Sequence, residues 1–103
     1  MNGLELISFQ IISAVGTARS MYIEAIRLAK EGKIDDANKL MKEGEEIFIQ
    51  GHHAHAELIQ KEANGESSTI TLLFMHAEDQ LMSAEAFNII AREFIDLYSI
   101  IHK

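Results

Sequence analysis

An all-α bundle is what this sequence predicts, on three observations. Its 103 residues include no proline, so the commonest helix breaker is missing from a chain rich in Ala, Leu, Ile, Glu and Lys. Apolar residues recur at helical spacing over three long stretches. Short segments separate the stretches, making the helices antiparallel neighbours in an up-down-up bundle. With 48% apolar residues, a chain of this length buries one core and is read as a single domain over residues 1–103.

The first helix is expected over about residues 4–31, because periodicity starts at Leu4 and Glu31-Gly32 supplies a left-handed stop. The second is expected over about 35–63, with Asp35 as N-cap and Asn64-Gly65 as its end. It contains Gly44 and Gly51, each costing roughly 1 kcal/mol against alanine in a continuous helix. Close backbone packing and a local break are both open at those two positions. Asn64 to Thr69 is the loop-like cluster, and the third helix is expected over about 70–102, roughly nine turns.

The third helix is apolar on too many sides. Leu73, Ala77, Leu81, Ala84, Ala91 and Ile95 form one stripe, an ordinary bundle-core face. Roughly opposite lies another: Leu72, Met75, Met82, Ala86, Ile90, Leu97 and Ile100. Glu78, Glu85, Arg92 and Asp96 are left on a narrow charged face. A lone three-helix unit has no use for a helix buried on two sides, so self-association is predicted. Asp79 interrupts the second stripe, where a carboxylate is costly unless it is protonated, hydrogen-bonded or bound to a cation. A small solvated gap or a symmetry axis with a shared metal would each explain it.

Composition narrows the function classes. Lys plus Arg number 9 against 16 Asp plus Glu, a net charge of −7, which repels nucleic acid and anionic lipid. There is no cysteine, so disulfides, thiolate nucleophiles and Cys-ligated zinc are excluded together. The opening MNGLELISFQII lacks a basic stretch before its apolar residues, and charges interrupt every apolar run, so the expectation is a cytoplasmic protein with no direct membrane insertion. Gly16-Thr17-Ala18-Arg19-Ser20 lacks the Gly and Lys spacing of a nucleotide-binding loop.

Histidines carry the remaining chemistry. His76 lies one turn before Asp79 and about 60° around the helix from it. Imidazole is an uncharged nucleophile near neutral pH whose phosphoramidate passes its phosphoryl group onward, although a half-buried structural histidine would fit the same spacing. His52 and His55 at i, i+3 raise a metal-binding reading. A carboxylate-bridged dimetal bundle does not fit, because no glutamate stands three residues before any histidine. His53 is expected in solvent and His102 at a frayed surface end.

The segment Leu73-Phe74-Met75-His76-Ala77-Glu78-Asp79-Gln80-Leu81-Met82 resembles the third-helix motif of the lactose/cellobiose (chitobiose)-type IIA components of the sugar phosphotransferase system. Gly16 to Ser20 and the run His52-His53-Ala54-His55-Ala56-Glu57 through Gly65-Glu66 resemble the family in the same order. The resemblance implies a homotrimer of three-helix subunits, a nine-helix bundle. It further implies a phosphorylated histidine at His76 and an axial divalent cation, Mg2+ or similar, held through Asp79. No organic cofactor is implied.

The partners so implied are HPr as phosphoryl donor, a cysteine of the IIB component as acceptor, and through IIB the membrane IIC component. The transported sugar is a β-linked disaccharide, cellobiose, chitobiose or lactose. The family pattern commonly has Gln-Asp-His where this chain has Glu78-Asp79-Gln80. Glu78 thus adds a negative charge near the phosphoryl position, unfavourable unless it points to solvent, as its stripe suggests. Two other functions fit the residues: a non-catalytic helical adaptor using the apolar surface, and a His52/His55 metal-binding bundle. A histidine phosphotransfer domain of two-component signalling is a further neighbour, but such domains usually have four helices.

Overall fold

The computed structural model describes residues 3–66 and 70–103. It comprises three helices, α1 (Gly3–Lys30), α2 (Ile34–Ala63) and α3 (Leu72–Ile101), with no strand among the described residues. Ser67, Ser68 and Thr69 of the expected loop, and Met1 and Asn2 of the opening segment, lie outside the described residues.

Two glycines end α1 and α2 where the sequence placed them. Gly32 and Gly65 have φ of 87° and 86°, a conformation that costs other residues a Cβ clash. Around Gly32, Lys33 N–H donates to the Leu28 carbonyl at 2.9 Å and Gly32 N–H to Ala29 at 2.9 Å. Around Gly65, Glu66 N–H donates to Lys61 and Gly65 N–H to Glu62, each at 3.0 Å. Both are Schellman closures, which satisfy carbonyls that the helix itself leaves open.

Two expected starts shift. Asp35 is not the N-cap of α2: Lys33 occupies that position without a side-chain bond, and Asp35 and Asp36 lie in the first turn. Lys33 is shared by the closure of α1 and the start of α2, which leaves no room for a longer linker. The two carboxylates then face the positive end of the helix. Ile70 does not begin α3; extended Thr71 caps it, its hydroxyl accepting from Phe74 N–H at 3.1 Å.

α1 packs along both partners, whereas α2 and α3 touch each other sparingly. Small residues permit this approach: Ala18, Ala25, Ala29, Ala37, Ala77, Ala84 and Ala91 are fully buried. Gly44 and Gly51 belong to the same device. A Cβ at Gly44 would lie 2.8 Å from the Tyr22 ring, and one at Gly51 would lie 2.8 Å from Val15 Cγ1. α2 runs unbroken through both, so close packing, and not a local break, accounts for these glycines.

The core stripe of α3 is buried as expected, with Leu73 half-buried at its edge. Its second stripe is bare: Leu72 is 84% exposed, Met82 64% and Ile100 69%. The molecule is a rod of 54 × 23 × 19 Å with a radius of gyration of 16.1 Å, against about 13 Å for a compact globule of this length. Among the described residues, no helix is long and apolar enough to cross a membrane.

Candidate functional site

Ala77 fixes the orientation of the site. It is fully buried in a cluster with Ile11 and Val15 of α1 and with Leu81 and Ala84 of its own helix. With that face pinned, the residues on either side must point elsewhere, and His76 projects exposed from the N-terminal part of α3. Side chains on a helix lean toward its N-terminus, so the imidazole inclines toward the end where unpaired N–H groups create positive potential. No acidic residue occupies that first turn. An exposed imidazole just past the first turn of α3, leaning toward its positive end, can accept an anionic group.

Asp79 is also exposed. It stands between Met75 and Met82, which are 57% and 64% exposed, within the bare stripe as the periodicity predicted. Among the described residues, no group of three or more His, Cys, Asp or Glu is placed to hold a metal ion. At this level of the stripe one chain brings a single carboxylate, with Glu93 about four turns farther on, so a Mg2+-type ion held by one chain alone would keep most of its six ligands as water. The donor set fits such a cation only where Asp79 residues of several copies converge.

Glu78 does not point to solvent. Its carboxylate Oε1 pairs with His55 Nε2 of α2; the side chains are 35% and 17% exposed. An ionised carboxylate only accepts, so His55 Nε2 carries the hydrogen and donates it. His52, meanwhile, stacks on Phe48 with ring centroids 6.3 Å apart. The two histidines of the alternative metal-binding reading are therefore turned apart, one ring onto a carboxylate and the other onto an aromatic. His53 lines an open groove of 770 Å³ between α1 and α2, together with Gln10, Thr17, Gln50 and Glu57.

Three further contacts were not foreseen. Arg19, inside the Gly16–Ser20 block, donates through Nη1 to Ser83 Oγ at 3.2 Å. Ser83 lies seven residues after His76 and so on nearly the same helical stripe, about two turns on. Glu45 of α2 accepts from Asn88 Nδ2 at 3.1 Å and pairs with Arg92 Nη2, beside a cleft of 570 Å³ that Tyr22 also lines. His102, expected at a frayed end, instead bonds through Nε2 to the Lys30 carbonyl at 3.0 Å and packs beside Gly32. A helix repeat can flag faces but cannot pair residues 23 to 72 positions apart.

The family model described as "PTS system, Lactose/Cellobiose specific IIA subunit" matches residues 6–99. The chain belongs to this IIA family. It is thus a component of a lactose/cellobiose-type sugar phosphotransferase system. It is 44% identical over 94 residues to the oligo-beta-mannoside-specific EIIA component of Bacillus subtilis, covering 91% of this chain and 86% of that one. It is 32% identical over 95 residues to the lactose-specific EIIA component of Staphylococcus epidermidis, covering 92% and 91%. In three dimensions this IIA chain is similar to the cellobiose-specific Enzyme IIA from Bacillus anthracis. That comparison gives a TM-score of 0.95 at 44% identity, over 98% of this chain and 93% of the other.

Proposed function

We propose that this IIA component accepts a phosphoryl group from phospho-HPr on His76 and passes it to a cysteine of the IIB component. The observation that carries the reading is the exposed imidazole, projected by buried Ala77 beside the positive end of α3. In the first transfer, the bond from phosphorus to its carrier atom on HPr breaks as an N–P bond to His76 forms, and the electron pair returns to that carrier atom. The second transfer moves the group from nitrogen to the IIB sulfur. Positioning and fixed dipoles, and not covalent assistance from other side chains, supply the acceleration. This chain has no cysteine, in keeping with an acceptor thiol on a partner.

The working form in this reading is a cytoplasmic homotrimer built on the bare stripe of α3, with three Asp79 carboxylates meeting at the axis. Mg2+ or a similar divalent cation there would offset their mutual repulsion and hold the register. The sugar is a β-linked disaccharide, with cellobiose or chitobiose favoured over lactose. The relatives' names span oligo-beta-mannoside, lactose and cellobiose, as expected where the membrane IIC component selects the sugar.

The test is reconstitution with phosphoenolpyruvate, Enzyme I, HPr and a IIB component. Phosphoryl transfer to the IIB cysteine should require this chain and vanish with His76→Ala. Transfer sustained by a folded His76→Ala protein would refute the assignment.

A further inference from the structure

From the His55–Glu78 pair, we infer that His55 is a positioning residue for phosphoryl transfer: it holds the Glu78 carboxylate on the α2 side of α3, away from the phosphoryl group on His76. The inference rests on the phosphocarrier reading above. Glu78 stands two residues from His76, on the other flank of buried Ala77, and from there its charge opposes at longer range the arrival of a phosphoryl group that is itself anionic. A free glutamate would sample several rotamers, some bringing its charge nearer the site. Here it is given one place. His55 is the more buried partner, 17% exposed against 35% for Glu78, and it is carried on a helix that packs closely on α1 at Gly51, where a Cβ would meet Val15.

The pair is also a clasp between two helices that otherwise touch sparingly. A second clasp, Glu45 with Asn88 and Arg92, ties the same helices farther from His76. A purely structural role for His55 therefore makes a different prediction from a positioning role, and the Glu78 charge separates them. Removing His55 frees the charge; removing the charge as well should restore transfer even though the clasp stays broken.

The experiment measures the rate of phosphoryl uptake from phospho-HPr, with melting followed in parallel, for wild type, His55→Ala, Glu78→Gln and the double variant. His55→Ala is expected to slow uptake by up to about fivefold, the limit set by the whole repulsion between a carboxylate and a doubly charged group roughly 8 Å away in a water-like medium. The double variant should return to within about twofold of wild type, a coupling that independent sites do not show. His55→Gln, which keeps an N–H donor, should stay near wild type. Unchanged uptake by His55→Ala, or a double variant as slow as the single one, overturns the inference. Should His55→Ala not fold, Glu78→Asp carries the test: the shortened acid keeps its charge but cannot reach His55, so slow uptake supports the role and wild-type uptake overturns it. No uptake by wild type from HPr shown to be phosphorylated overturns the phosphocarrier reading, and this inference with it.

Discussion

Gly44 of α2 lies flat against the ring of Tyr22 of α1, so closely that a Cβ would stand 2.8 Å from Cε1 and 3.2 Å from Cδ1. The ring cannot easily give way, because Tyr22 is 1% exposed and surrounded by Ala18, Ala25, Met41 and Ala91. Gly44→Ala therefore gains about 1 kcal/mol of helix propensity and loses about 2–3 kcal/mol to overpacking. A net loss of about 1–2 kcal/mol is expected, read as a melting decrease of several degrees. Gly51→Ala, facing Val15, should behave alike.

Thr71 supplies the side-chain cap of α3. Thr71→Ala leaves Phe74 N–H without that acceptor and should cost about 1 kcal/mol, while Thr71→Ser and Thr71→Asp should cost little. Denaturant unfolding at unchanged slope checks this. Because the cap sits just before His76 in the chain, a fall in phosphoryl uptake larger than the fall in stability would show that the first turn also shapes the site.

Burial raises the Tyr22 phenol above its usual 10.0, with the Asn88 hydrogen bond and the Arg92 charge pulling partly back. The folded state then holds this proton more tightly than the unfolded chain. The resulting stability is present below pH 10.0 and is lost as pH rises through the raised folded value. Tyr22→Phe should make alkaline unfolding less steep. The difference between wild-type and Tyr22→Phe phenolate titrations isolates the group, and a midpoint at or below the ordinary tyrosine value would contradict the burial.

Asp79 and the bare stripe make a prediction about assembly. Light scattering should give a trimer for wild type that weakens on chelator treatment, and Asp79→Leu should assemble without responding to chelator, since it would replace the carboxylates proposed at the axis with apolar contact. Unchanged mass, unchanged melting and an unchanged chelator response in the variant would remove Asp79 from the axis.

Much of the fold was legible because it is written locally. Gly32 and Gly65 mark stops since only glycine takes their positive φ cheaply, and the α3 core stripe follows from a fixed angle per residue. Asp35 was misplaced because a good capping residue outranked the tight linker in which Lys33 serves two helices. Thr71 gives no separate start signal in the sequence, because Ile70 before it already continues the apolar period. In the site, spacing and resemblance together single out His76 and Asp79 as candidates. The partner of Glu78 did not, since His55 reaches it across two helices and 23 positions, and its stripe placed Glu78 in solvent. His102 looks like a loose end in the sequence for the same reason: its partner, Lys30, is 72 residues away.

The central claim is that His76 receives the phosphoryl group, and intact mass spectrometry tests it most directly. The purified protein is incubated with phosphoenolpyruvate, Enzyme I and HPr, and its mass is compared with that of His76→Ala. One acid-labile phosphoryl adduct on wild type and none on the variant is the result expected of a histidine carrier. No adduct on folded wild-type protein, with HPr demonstrably phosphorylated, would contradict the account and leave a helical adaptor whose apolar face serves another protein.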